Sequence, residues 1–312
     1  MKYFITGGCG FIGSHLAEEL IGKGQSVVIY DNLSSGFEKN IAHFREKCDF
    51  IKGDIRDDQL LTKSMKGADY VFHLAALVSV FDSVNRPEDN NSINITGTLN
   101  ALLAAKTNEV KRVVMASSAA VYGNDPELPK VEKMLPLPES PYATAKITGE
   151  YYMRIFASLY DVETVSLRFF NVFGPRQDPS SMYSGVISKF ADALKMNEIP
   201  KIFGDGKQTR DFVYVKDLVQ AILLAMHSDK VGKGEVFNVA TGKTTGLIEL
   251  LEVLNNILNL DIKPEFDEPR AGDIRHSYAS IDKAREVLGY DPCFSLKEGL
   301  EELVAYDNQN SS

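Results

Sequence analysis

Tyr142 and Lys146 stand four residues apart in the run Ser140-Pro141-Tyr142-Ala143-Thr144-Ala145-Lys146. Serine followed by proline opens a helix well, with serine as the cap and proline at the first helical position. Four residues is close to one helical turn, so both side chains fall on one face. A phenol at its ordinary pKa of about 10 is a poor base at neutral pH. A nearby ammonium and a positively charged cofactor ring both favour the phenolate, which turns Tyr142 into a general base. Exposed tyrosine–lysine pairs are common by chance, so the pairing draws its meaning from what precedes it.

What precedes it is a glycine loop. Thr6-Gly7-Gly8-Cys9-Gly10-Phe11-Ile12-Gly13 follows an apolar run at 3–6 and opens an amphipathic stretch at 11–23, where Ile12, Leu16 and Leu20 share a face. Gly7 permits the tight turn, Gly10 lets backbone approach a pyrophosphate, and Gly13 lets helix and strand pack closely, with Phe11 and Ile12 in the first helical turn. Asp31, followed by Asn32, comes directly after the run SVVIY, about 20 residues beyond the glycines, where a carboxylate accepts the adenosine ribose 2′-hydroxyl. It would repel a 2′-phosphate, so NAD is expected rather than NADP. Asp54 and Ile55 follow the third strand and are placed to meet the adenine, although a plain turn acid fits Asp54 equally well. Ser117-Ser118 follows the strand RVVMA at 112–116, which puts Ser118 in position to hydrogen-bond a reacting oxygen and relay a proton to Tyr142.

These residues need a frame that carries them to one place. Short apolar runs at 3–6, 26–30, 50–51, 70–72, 112–116 and 164–168 alternate with helical patterns at 11–23, 57–65, 91–106 and 141–160. Such alternation predicts an α/β fold with a doubly wound parallel (Rossmann) sheet. Composition changes after Asn171, where Gly174, Pro175 and Pro179 mark a long loop. The expected division is a cofactor domain over 1–171 and a smaller mixed α/β substrate domain over 172–312. The chain has 312 residues, a net charge of −9, and three scattered cysteines, Cys9, Cys48 and Cys293. The acidic balance argues against a nucleic-acid surface, and the cysteines argue against a zinc site or disulfide framework. No metal is expected. No apolar run has membrane-spanning length and the first residues lack a signal-peptide layout, so a cytoplasmic address is expected.

Taken together, these motifs resemble the extended short-chain dehydrogenase/reductase family, and within it the UDP-glucose and UDP-N-acetylglucosamine 4-epimerases. The landmarks are TGGCGFIG at 6–13, HLAA at 73–76, NITGT at 94–98, SSAAVYG at 117–123, YATAK at 142–146, RFFNVFGPRQ at 168–177, TRDFVYVKD at 209–217 and RAGD at 270–273. The resemblance implies that Tyr142 is the base, Lys146 the holder of the nicotinamide ribose and Ser118 the third member of the triad. It also implies that Leu74, Ala75, Ala76 and Phe169 border the cofactor, and that Ser79 and Val80 border the sugar. Asn171 and Arg210 would hold the UDP phosphates, with Arg270 and Asp273 at phosphate and uridine ribose. The segment 212–239 would return to the cofactor domain, and helices near 91–106 and 141–160 would form a homodimer interface. Phe169 departs from the family's more usual tyrosine, and Arg275-His276 has no assigned role.

Dehydratases of this family carry two acids after the serine, and decarboxylases tend to carry a glutamate there. This chain has Ala119 and Ala120, which transfer no proton. The expected reaction is therefore reversible oxidation at C4 of a UDP-hexose through a transient 4-keto sugar, returned with inversion. Another nucleotide-sugar enzyme of the family (dehydratase, decarboxylase or reductase) and a non-catalytic NAD sensor are the alternatives. In epimerases restricted to unacetylated sugars a bulky aromatic lies seven residues after the RAGD arginine. The count from Arg270 lands here on Ser277, which leaves room for an acetamido group, whereas a count displaced by one would put Tyr278 there.

Overall fold

The chain is described from a computed structural model covering residues 1–178, 185–268 and 275–310. Alternation along the first strands decides the architecture. In β1 (Lys2–Thr6) Tyr3 and Ile5 join one buried cluster and Phe4 another. After α1 (Phe11–Gly22), β2 (Ser26–Asp31) repeats the pattern with Val27 and Ile29 against Val28 and Tyr30. A sheet apolar on both faces must be covered on both faces. The chain runs on through β3 (Asp49–Lys52), α2 (Asp58–Ser64), β4 (Tyr70–His73), α3 (Val80–Asn85), α4 (Pro87–Asn90), α5 (Gly97–Thr107), β5 (Arg112–Ser118), α6 (Pro141–Leu159) and β6 (Glu163–Phe169). Leu61, Ala101, Leu102, Met153 and Phe156 bring α2, α5 and α6 onto one face, while Leu16, Ala17 and Leu20 bring α1 onto the other.

The expected helix over 91–106 differs in its first turns. Residues Asn91–Thr96 are π-helical and join α4 to α5. The wider turn accompanies an inward-facing Asn94. Its Oδ1 accepts Leu77 N–H (2.8 Å), and its Nδ2 donates to Leu77 O (2.9 Å) and Asn90 Oδ1 (2.8 Å). A side chain used this way fixes the loop after β4, and π-turns often occur at functional sites.

Beyond β6 lie β7 (Asn171–Phe173), α7 (Val186–Lys195), β8 (Lys201–Phe203), β9 (Thr209–Arg210), β10 (Phe212–Tyr214), α8 (Val215–His227) and β11 (Lys233–Val239). The chain ends with β12 (Thr245–Gly246), α9 (Leu247–Leu258), β13 (Glu265–Asp267), β14 (His276–Ser277), α10 (Asp282–Leu288) and α11 (Leu296–Asn310). The main sheet is seven-stranded and parallel, in the order β11-β6-β5-β4-β1-β2-β3. The segment 212–239 thus sends α8 across one face of this sheet, through Leu218, Val219 and Ile222, and adds β11 beside β6. A separate, smaller core gathers Phe173, Phe190, Leu194, Ile202, Phe212, Leu250, Leu254 and Leu300. Among the described residues, no helix is long and apolar enough to cross a membrane.

Candidate active site

Strand order reverses between β1 and β4, and a crevice opens there at the carboxyl ends of the strands, where ligands bind in doubly wound sheets. It is a cavity of about 1120 Å³ running from the glycine loop to β9. Gly7 has φ +72°, and a Cβ on it would lie 2.7 Å from Ala75 N; a Cβ on Gly13 would lie 2.2 Å from Gly7 O. Both glycines are forced by close approach. A Cβ on Gly10 would meet only Gly7 O, at 3.2 Å, and otherwise open cavity. Helix α1 starts at Gly10 with no side-chain cap and no acid in its first turn. Its first amides are thus left for an anion, as a dinucleotide pyrophosphate requires.

At the end of β2, Asp31 is buried. Its carboxylate accepts Cys9 N–H (2.9 Å) and Leu33 N–H (2.8 Å). Burial pushes its pKa up, and these two amides oppose the rise. Asp54 forms a fork with Arg56 (2.9 and 2.7 Å) and accepts Asn32 Nδ2 (2.9 Å), and the Arg56 contact holds its carboxyl well below the usual range. Cavity-lining residues include every one expected at the cofactor: Gly7, Gly10, Phe11, Ile12, Gly13, Asp31, Asn32, Asp54, Ile55, Leu74, Ala75, Ala76, Tyr142, Lys146 and Phe169. Sequence reasoning missed Ser34, Ser35 and Asn40, which also line it. Asn40 donates to Cys9 O (2.9 Å), and its only advance signal was a short polar run after the acid.

Ser118, Tyr142 and Lys146 meet in the middle of this cavity. Ser140 caps α6 by accepting Ala143 N–H (3.1 Å), with Pro141 in the first turn, and Ser83 on α3 accepts Tyr142 N–H (3.1 Å). Ser118 ends β5, accepts Ala120 N–H (3.2 Å) and stands beside the Tyr142 hydroxyl, where it favours the phenolate. Lys146 Nζ lies 5.6 Å from the Tyr142 ring centre and donates to Ala116 O (2.9 Å). Burial pushes the Tyr142 phenol up, and the Ser118 hydroxyl beside it opposes the rise. Lys146 itself is pushed down to about 8 by burial.

Behind the triad, His73 is buried between Thr6 (Nδ1 to Oγ1, 2.9 Å) and Thr98 (Nε2 to Oγ1, 3.0 Å). Thr98 donates its proton to Asn94 O (2.7 Å), so its oxygen accepts from His73 Nε2. Nδ1 then accepts from Thr6, whose oxygen also takes Ala75 N–H (3.2 Å). This one-way chain keeps His73 neutral and fixes Ala75; burial, helped by Lys146, pushes its pKa down to about 3.

At the far end of the cavity stand Ser79, Asn171 and Arg210. Ser79 caps α3 by accepting Asp82 N–H (2.7 Å). Asn171 Nδ2 donates to Asp211 O (3.1 Å). Arg210 donates to Thr209 O (3.0 Å) and Arg275 O (3.3 Å). Asp211 anchors this edge, accepting Thr241 N–H (2.8 Å), Thr241 O–H (2.6 Å) and Gly242 N–H (3.0 Å). Val80 and Ser277 are not among the lining residues: Val80 is exposed on α3, while Ser277 pairs with Arg210 across β14 and β9. Paired residues on neighbouring strands share a face, so Ser277 stands on the side of Arg210. Arg270 and Asp273 lie outside the described residues. Arg275 and His276, unassigned from sequence, stitch this edge together through Asp205 (2.7 Å) and Thr209 Oγ1 (2.9 Å).

Residues 3–240 match the model of the NAD dependent epimerase/dehydratase family. The chain belongs to this family. A UDP-glucose 4-epimerase of Mycolicibacterium smegmatis is 40% identical over 100% of both chains. A UDP-N-acetylglucosamine 4-epimerase from Methanobrevibacter ruminantium, solved with UDP-N-acetylmuramic acid, is 42% identical, with a TM-score of 0.94 over 99% of this chain and 98% of that one. A Thermus thermophilus UDP-glucose 4-epimerase solved with NAD is 33% identical, with a TM-score of 0.89 over 99% of both. The glycine loop, Asp31 and the Tyr142–Lys146 pair therefore sit in an epimerase/dehydratase scaffold from one end of the chain to the other.

Proposed function

We propose that this chain is a UDP-hexose 4-epimerase, interconverting UDP-glucose with UDP-galactose and UDP-N-acetylglucosamine with UDP-N-acetylgalactosamine. The observation that carries the reading is the pairing of Tyr142 with Ser118 in the cavity, followed by Ala119 and Ala120 where further acid–base groups would have to stand. With one proton-transferring pair the site removes and returns a proton at one hydroxyl. Gly7, Gly10, Gly13, the start of α1 and Asp31 hold NAD, with Lys146 at its ribose. NAD, when bound, would supply the hydride acceptor and, on reversal, the hydride donor. Tyr142 takes the proton of the sugar 4-hydroxyl while Ser118 holds that oxygen. Asn171 and Arg210, joined by Arg270 and Asp273, grip the diphosphate and uridine and leave the sugar free to turn over as the 4-keto form. The segments carrying these groups beyond 171 make up the substrate-binding domain, while 212–239 serves the cofactor domain.

We also propose a homodimer. On α6, Tyr151, Ile155 and Leu159 are exposed at spacings of four, beside exposed Leu103 on α5. An apolar stripe of this kind supports an isologous pairing of the two helices.

An NMR time course with each UDP-sugar, NAD being supplied, tests the activity. A new H4 signal is expected. A 6-deoxy methyl signal would make the protein a dehydratase, and an unchanged spectrum would favour the NAD sensor.

A further inference from the structure

The run Gly174-Pro175-Arg176-Gln177 has no part in the chemistry above, yet the structure invests in it. Arg176 has φ +68°, a conformation that a residue with a Cβ keeps only when its surroundings hold it there. Its side chain is only 8% exposed and ends on Glu18 of α1, in an ion pair and hydrogen bond through Nη2. Glu18 also receives His43 Nε2 (2.7 Å). Three residues before Glu18, His15 Nε2 reaches Pro175 O (2.9 Å), and Phe11, another turn back, lines the main cavity and packs against the smaller core. One face of the cofactor helix therefore grips the turn. On its other side the turn faces the sugar-nucleotide space: Arg176 and Gln177 line the main cavity, and Gln177 accepts Ser188 O–H (3.2 Å) from α7. A second cavity, of about 1310 Å³, lies between α1, α8, α10 and α11, and Arg176 belongs to the walls of both. Arg176 Nη1 is buried with no hydrogen-bond partner among the described residues. The turn is thus packed through Gly174 against Tyr214 and Val215, and its Arg176 end is held by Glu18 and His15.

We propose that Arg176 is a positioning residue that latches the 174–177 turn to the cofactor helix through Glu18, so that the dinucleotide and the sugar nucleotide bind with positive coupling. The sugar-nucleotide half of this statement rests on the function proposed above. Because coupling between two binding sites is reciprocal, breaking the latch weakens each ligand when the other is bound, while leaving the triad intact.

The test compares Arg176→Gln, Glu18→Gln and the double variant. Calorimetry with UDP saturating is expected to show NAD bound about 5-fold or more weakly by each variant than by wild type, the lower end of ordinary coupling. KM for the UDP-sugar should rise by a similar factor with little change in kcat. The double variant should be no worse than either single one, since both remove the same contact. Wild-type NAD affinity in the single variants, additive losses in the double variant, or a fall in kcat at unchanged KM would overturn the latch. If wild type turns over neither UDP-sugar, the proposed activity fails, while NAD calorimetry still decides the latch.

Discussion

Glu150 lies two turns beyond Tyr142 on α6, and its carboxylate takes both Nε (2.9 Å) and Nη2 (2.8 Å) of Arg168 on β6. Both side chains are about 3% exposed, Ser117 O–H adds a 2.5 Å contact, and Arg168 lies over the Tyr122 ring. The pair fastens the helix of the catalytic base to the sheet directly behind Ser118. Removing one partner leaves a buried, uncompensated charge, which costs ~3–5 kcal/mol. Glu150→Ala should lose stability on that scale in urea unfolding, and Glu150→Leu with Arg168→Met should recover much of it. A loss in Glu150→Ala below 1 kcal/mol, on the scale of an exposed pair, would show that the site is wetter than its burial implies.

Tyr142→Phe is expected to retain NAD and to lose at least ~100-fold in kcat, within the range of general acid–base catalysis. Ser118→Ala should lose less, because it removes the hydroxyl that opposes the effect of burial on the phenol but leaves the base. A pH–rate profile of Ser118→Ala should shift its acidic limb upward, since the base must be deprotonated to act. An unshifted limb would mean that Ser118 does not tune Tyr142.

Asp31 accepts two backbone amides, so its carboxylate is fixed in place rather than free to swing away from a 2′-phosphate. NAD should bind more than ~10-fold tighter than NADP, a difference of about 1.4 kcal/mol. Asp31→Asn should narrow that gap in a competition titration. Equal affinities in the wild type would sink the assignment.

Ser277 shares the Arg210 face of β14, which favours it over Tyr278 as the residue beside the C2 substituent. Pockets exclude by clash more sharply than they attract by one contact. Ser277→Tyr should therefore lose the acetylated UDP-sugars and keep the plain pair, read as kcat/KM for each. Retained turnover of both pairs would place the gate elsewhere.

His15 and His73 make folding acid-sensitive. Burial pushes His15 down to about 4 and His73 down to about 3, from an ordinary 6.5. Between those values and 6.5 the unfolded chain binds protons that the folded chain refuses, so stability is complete above the window and falls as pH drops through it. Tm should decline steadily from about pH 6.5 toward pH 4, and His15→Gln should make the decline shallower. An unchanged slope in His15→Gln would mean that His15 takes up its proton in the folded state.

The sheet and the cofactor loop were legible because their signals are local. SVVIY is short and carries the β-branched residues that strands favour, and glycines between a strand and a helix restrict the geometry to a few solutions. Tyr142 and Lys146 share a turn, so their meeting was legible too. What sequence could not carry was pairing across distance. Arg112 reads as the first residue of a strand, yet its guanidinium gathers the carbonyls of Ala225, Met226, Ser228 and Val231 at 2.7–3.1 Å, about a hundred residues on. Glu18 reads as the polar face of a helix and proves to hold Arg176. Spacing shows that Lys146 is near Tyr142, but not that burial pushes the phenol up.

Strand β11 has a consequence for how the protein can be cut. It reaches β6 only after the chain has travelled through 171–232, so a gene divided at the visible change of composition would give a first fragment with β6 as a bare edge. Such an edge recruits other strands. The fragment would carry the glycine loop, Ser118, Tyr142 and Lys146 complete and still be prone to self-association. Only a second fragment supplying Lys233–Val239 in trans blunts it. On the ribosome the same geometry means that the dinucleotide cradle is assembled before the sheet beneath it is finished, and the nascent chain is left with an open seam until residue 239 emerges.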